Sequence, residues 1–239
     1  MLLRLKIYSM KQIPSLLFYP AIILLFFIIS PAADLNSSVK EDFYVDRDVI
    51  YLNADYLEQL EREIIFEMNK VRTDPQKYAE LSIKPMLKRF RGNKYSHQNK
   101  TYPTKEGAAA VEECYKILSK SRPAGLLLPD ESLSRAASDH VRDQGQTGVI
   151  GHTGNDNSSP LKRVKRYVNS DYMYIGENIS YGLTSAEEIV SFLLINDGMP
   201  SRSHREILLN PKFNLTGVSC GYHRVYKTMC VIVYSRLHR

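Results

Sequence analysis

The sequence predicts an α+β fold with helices packed on a small antiparallel sheet. Two observations carry this. Apolar residues recur at helical spacing in several stretches between residues 55 and 145, and alternating or β-rich runs, at least three of them, concentrate in the second half.

The chain opens with MLLRLKIYSMKQIPSLLFYPAIILLFFIISPAA. Arg4, Lys6 and Lys11 precede an uncharged run from Leu16 to Ile29, and small residues follow at Ala32 and Ala33. This is the three-part pattern of a secretory signal peptide. The run is short against the about 20 apolar residues of a bilayer span. Residues 1–33 are therefore expected to be a cleaved leader, with an uncleaved signal anchor, which would tether the protein to a membrane, as the alternative. Residues 34–54 read as a polar linker and 55–239 as one domain, with no stable membrane span after cleavage.

Helices are predicted in order. Leu57, Leu60, Ile64, Met68 and Val71 form one stripe, with Asp55 and Glu58 as a capping box. Asp74 and Pro75 open a short helix to Leu81. Residues 84–102 are basic, dotted with aromatics and without period, and read as a long surface loop. A third helix spans about 105–119. A fourth follows Pro129 and Asp130 and ends at Gly145, with His140 on its apolar face as a core histidine. A shaped loop rich in Gly, Asn and Asp leads to a small helix from Pro160. Its Lys162, Arg163, Lys165 and Arg166 read as a solvated basic face, with anionic headgroups or acidic glycans as the functional alternative.

In YIGENISYG, Ile175, Glu177, Ile179 and Tyr181 share one strand face and Gly176, Asn178 and Ser180 the other. Glu177 thus sits on an apolar face, where a lone carboxylate is costly and a cation or histidine partner relieves the cost. Ser185 and Glu188 cap an apolar helix to Ile195, stopped by Asp197 and Gly198. A short turn spans His204 to Leu209, and a hairpin centred near Val225 closes the chain.

Of three cysteines, Cys220 and Cys230 are set opposite each other by that hairpin and are the expected disulfide. Cys114 lies on a helical apolar stripe and reads as a buried thiol. The formal net charge is +6, half of it from Arg4, Lys6 and Lys11, so the mature excess is too mild to argue for nucleic acid. Sequons start at Asn36, Asn99, Asn157, Asn178 and Asn214; Asn178 is expected to be packed and unglycosylated.

GHTG, GENISYG, the helix ending LLINDG, SRSHR and the closing hairpin occur in one order over about 80 residues. In that order, and with MNKVRTDPQKYAEL, TKEGAAAV and LSRAASDHVRDQG before them, they resemble the CAP or SCP-like domain, in its microbial and protist branch. The resemblance implies an α-β-α sandwich with a surface cleft lined by two histidines and two acids. His152, Glu177 and His204 match three of these. Asp197 is the candidate for the fourth, where the family usually has a glutamate near the end of the helix. Asn157 and Ser203 replace glycines common in this branch.

Imidazoles and carboxylates converging from separate loops suit Zn2+ or another divalent cation, with His152 and His204 as the expected ligands; a hydrogen-bonded cluster that only fixes the loops is the alternative. The resemblance also implies a secreted, extracellular binding module for sterols, lipids, glycans or extracellular proteins. A metal-dependent, protease-like hydrolase and a structural or antigenic surface protein with an inert cleft remain as alternatives. No catalytic residue is assigned: no H-E-x-x-H is present, and Ser201 and Ser203 beside His204 are a weak nucleophile signal. Lipid binding is expected in an apolar groove separate from the polar four-residue cleft.

Overall fold

The computed structural model describes Phe43, Val45 and residues 54–97, 100–169 and 174–236. The leader (1–33), Asn36, Asn99 and His238 lie outside the described residues. Phe43 and Val45, within the segment read as linker, pack on the domain: the Phe43 ring lies 6.0 Å from that of Tyr78, and Val45 is buried.

Helix α1 spans Gln59–Thr73 and is capped by Glu58 and Glu61 rather than Asp55 and Glu58. The Glu61 carboxylate accepts the Glu58 N–H at 2.8 Å, because a glutamate three residues in can reach back to an orphan donor. Asp74 caps α2, Pro75–Tyr78. The backbone then passes through a π turn, Ala79–Ile83, and a 3-10 stretch, Lys84–Arg89.

The expected loop over 84–102 instead forms a three-stranded antiparallel sheet: β1 Phe90–Arg91, β2 Lys94–His97 and β3 Lys100–Pro103. Tyr95 pairs with Tyr102 across it, and both rings pack on Phe192, at 5.3 and 5.8 Å between centroids. With so few inward positions the alternation is too short to show as a period, and this aromatic seam is what secures the sheet.

The remaining elements are α3 Ala108–Leu118, β4 Leu128–Pro129, α4 Glu131–Thr147, α5 Pro160–Val164, β5 Ile175–Tyr181, α6 Ala186–Ile195, α7 Ser203–Leu208, β6 Leu215–His223 and β7 Lys227–Ser235. The main sheet has the order β4-β6-β7-β5; β4 is parallel to β6 and the other pairs are antiparallel. One face carries Ile179, Val231 and Val233 under Leu133, Ala136 and Ala137 of α4. The other carries Val218, Ile232 and Tyr234 under α1, α3 and α6. This is an α-β-α sandwich, with β5 on the sheet edge. A Cβ at Gly217 would lie 2.1 Å from the Ser134 nitrogen, so the α4 backbone can lie this close on β6 only because the position is glycine.

Cys220 and Cys230 are register partners and are disulfide-bonded, and Cys114 is a buried free thiol. Among the described residues no helix is long and apolar enough to cross a membrane.

Candidate functional site

The free edge of β5 is approached from both faces. Alternation along the strand sends Glu177 to the α4 face and Asn178 to the other. His152, from the loop after α4, places Nδ1 2.9 Å from Glu177 Oε1. On the opposite face the Asn178 amide donates to the His204 carbonyl at 3.0 Å. Asn178 is fully buried, as expected for a packed structural residue.

The loop that carries His152 is held by a buried polar network. His140 Nε2 and Gln144 Nε2 both lie 2.8 Å from the Gly151 carbonyl, and Tyr181 accepts the Gly151 N–H at 3.0 Å while donating to Gln144. His140 is buried as expected, yet it contacts this loop rather than apolar side chains alone. Burial, with Arg163 adding to it, lowers its pKa.

Arg163 was hidden among four cations of one small helix. It is buried, and its guanidinium meets Glu177 Oε2 at 2.7 Å while donating to the carbonyls of His152 and Ser158. The cation that a buried Glu177 requires is therefore a protein side chain. The basic face is split further by Arg166, which reaches Asp139 and Asp156.

Asp197 is placed differently from expectation. It borders the cleft, but its Oδ2 accepts the Lys105 N–H at 2.6 Å and its Oδ1 the Glu106 N–H at 2.8 Å, just ahead of α3. Glu106 in turn accepts the Gly198 N–H, and Arg202 forks onto Glu106 and Glu113. These contacts clasp the 196–202 loop to α3 and explain why the shorter acid faces amides rather than the histidines.

The residue that meets His204 is Asn196. It ends α6 in the left-handed region, φ 52°, which asparagine tolerates better than most residues. Its Oδ1 accepts the His204 N–H at 2.9 Å, and its Nδ2 lies 3.0 Å from His204 Nδ1. Burial, then charge on His152, lowers the pKa of His204, so the two rings sense each other.

The carboxylates of this donor set are already engaged as folded. Both Glu177 oxygens are engaged, both Asp197 oxygens face backbone amides, and His204 Nδ1 faces an amide nitrogen. Among the described residues no three His, Cys, Asp or Glu side chains are grouped to hold a metal. Ser201 and Ser203 are likewise not the partners of His204 Nδ1; Asn196 is.

Beside His204 lies a cavity of about 350 Å³ with Ile179, Leu183, Ile189, Phe192, Leu193 and Tyr102 among its walls. Of the four expected cleft residues, His204 and Asp197 line this cavity and His152 and Glu177 do not, so the apolar groove expected apart from the polar cleft borders half of it. Tyr102 comes from the segment read as a loop, and Thr104 lies just after it.

A family comparison agrees with this architecture. Residues 67–234 match the model of the cysteine-rich secretory protein family, CAP. The chain belongs to the CAP family. Three solved structures are similar. An outer surface protein of Borrelia burgdorferi is 21% identical over 47% of this chain and 78% of its own, with a TM-score of 0.40. An extracellular SCP-domain protein of Bacillus anthracis is 23% identical over 47% of this chain and 34% of its own, TM-score 0.39. A cysteine-rich secretory protein of Staphylococcus aureus is 16% identical over 59% of this chain and 44% of its own, TM-score 0.34. The CAP chain thus spans less than half of the latter two. No curated protein matches it.

Proposed function

We propose that this CAP protein is exported and serves as a binding module whose cleft holds one small amphipathic, lipid-like molecule. The cavity beside His204 carries the reading: a wall of Ile179, Ile189, Phe192 and Leu193 suits an apolar body, and His204, Asn196 and Thr104 supply a polar end. Export is supported by the leader pattern of residues 1–33 and by the Cys220–Cys230 bond, which persists in oxidising compartments.

Native mass spectrometry tests the binding. A one-to-one adduct with octanol is expected for the mature protein, and the Leu183→Arg variant, which sets a cation into the partly exposed wall, is expected to lose it. Equal adducts in both would place the amphiphile elsewhere. Terminal sequencing of protein from the medium is expected to begin near Ala32 or Ala33; an intact Met1 would contradict a cleaved leader.

A further inference from the structure

We propose that the small sheet of β1, β2 and β3 is a docking platform for a linear anionic polysaccharide, gripped by Arg91 and Lys94 on its outer face. The proposal does not rest on the ligand of the cavity beside His204.

Charge is distributed unevenly along the chain. The formal net charge is +6, and without Arg4, Lys6 and Lys11 it is +3. Residues 84–102 alone hold six cations, Lys84, Lys88, Arg89, Arg91, Lys94 and Lys100, and no acid. The rest of residues 34–239, +3 less 6, is therefore net −3. The positive field is thus concentrated on the stretch that folds into this sheet. Among the described residues only Lys84 of the six lies within ion-pair distance of an acid, Glu80.

Local geometry then holds two of the cations together. Gly92 and Asn93 form a two-residue hairpin turn, with Gly92 at φ 58° in its first central position, and the turn fixes Arg91 opposite Lys94. Strand alternation sends Phe90, Tyr95 and Tyr102 to one face, where both tyrosines pack on Phe192. It sends Arg91, Lys94, Ser96 and Thr101 to the other, and all four are exposed. Like charges directly opposite each other destabilise a sheet. The aromatic seam offsets that cost, and an anion bound across the pair removes it.

The outer face also carries the groups that a charged sugar chain needs. Arg91 donates from Nη1 to the carbonyls of Phe90 and Lys88, and among the described residues its other guanidinium donors have no partner. They remain for a carboxylate or a sulfate, whose oxygens match a planar fork. The Ser96 and Thr101 hydroxyls lie 3.1 Å apart on the same face, and each can both donate to and accept from sugar hydroxyls.

The choice of a sugar polymer over other polyanions follows from what this face lacks. Docking on a bilayer favours exposed apolar and aromatic side chains that reach the headgroup boundary. Single-stranded nucleic acid favours exposed rings on which bases stack. Among the described residues of 84–102 no large apolar side chain is exposed, because the aromatic rings of the sheet are committed to its inner face. A hydrated polyanion met by cations and hydroxyls is the partner that matches.

Calorimetric titration with low-mass dextran sulfate tests the platform, with uncharged dextran as the blank. The mature protein is expected to bind dextran sulfate saturably and dextran not at all, with affinity falling as salt is added. Lys94→Glu removes one attraction and adds one repulsion, and is expected to weaken binding at least about tenfold. The same variant sets opposite charges across β1 and β2, so its urea midpoint should hold or rise. Lys162→Glu makes the same change in net charge on α5 and is expected to stay within about twofold of wild type. Equal weakening in both variants would reduce the effect to net charge and overturn the platform. Arg91→Gln guards against a hairpin damaged by Lys94→Glu: it removes one charge and adds none, and unchanged affinity in it overturns the proposal.

Competition identifies the occupant. Phosphatidylserine–phosphatidylcholine vesicles and an oligothymidylate, each at the same concentration of negative charge, are expected to leave most of the dextran sulfate bound. Displacement by either one overturns the assignment to a polysaccharide.

Discussion

Arg163 and Glu177 form an ion pair at 2.7 Å in which each side chain is only 2% exposed. It joins α5 to the edge strand and aims the carboxylate at His152. Removing one partner leaves the other charged and buried. Arg163→Met is expected to destabilise the fold by about 3–5 kcal/mol, whereas adding Glu177→Leu should recover most of that loss. Urea unfolding of the single and double variants measures both; a single variant within about 1 kcal/mol of wild type would mean that water already reaches the pair.

Arg72 is also buried, and among the described residues no acid pairs with it. Its guanidinium donates to the carbonyls of Ala124, Gly125, Leu208, Asn210 and Phe213, so one side chain ties α1 to the loop before β4 and to the end of α7. Burial lowers its pKa to about 10, which still leaves it charged at neutral pH. Arg72→Lys cannot reproduce the planar fork and is expected to lose more than about 3 kcal/mol. A change in the urea midpoint too small for that figure would show that the carbonyls find other donors.

The three cysteines divide by environment. The Cys220–Cys230 bond closes a short hairpin, and its removal by Cys220→Ser with Cys230→Ser should cost about 3 kcal/mol by the chain-entropy relation. The Cys114 thiol is pushed up to about 11 by burial, which suppresses the reactive thiolate. Iodoacetamide at mildly alkaline pH is expected to leave the native protein unlabelled and to label one cysteine after unfolding without reductant. Labelling of Cys114 in the native state would show that α3 opens.

Much of this was legible in the sequence because it depends on period and on local chemistry. The stripe of α1, the alternation of β5 and the cap at Ser185 each repeat a local signal, and the hairpin spacing alone pairs Cys220 with Cys230. The site was legible only as far as its motifs. Glu177 announced that it needed a partner, but Arg163 is one of four cations between Lys162 and Arg166, and only the turn of α5 distinguishes the one that points inward. Asn196 sits beside the Asp197 and Gly198 that read as the helix stop, and its bonds to His204 form only once α7 folds back against it. Asp197 carried the right charge and was drawn off by the amides of Lys105 and Glu106.

Stability should also fall in mild acid, and the sign follows from two buried histidines. Burial lowers the pKa of His140, whose Nε2 is bonded to Gly151 and whose Nδ1 has no partner among the described residues. The groups that act on it are Arg163, which adds to the lowering, and Glu177 and Asp143, which oppose it. Burial and His152 lower His204 likewise. In the unfolded chain both should titrate near about 6.5. Below that pH the unfolded state binds protons that the folded state refuses, so unfolding becomes easier as pH falls from about 6.5 toward the lower folded values, and the loss levels off beneath them. Each histidine contributes a slope of at most about 1.4 kcal/mol per pH unit. His140→Gln keeps a donor for Gly151 without a titrating ring, so the variant should show a shallower decline over the same window. Urea midpoints for wild type and variant, taken stepwise from neutral into mild acid, measure it. Parallel curves would assign the decline to groups other than His140, and a wild-type midpoint that rises on acidification would contradict the direction of both shifts.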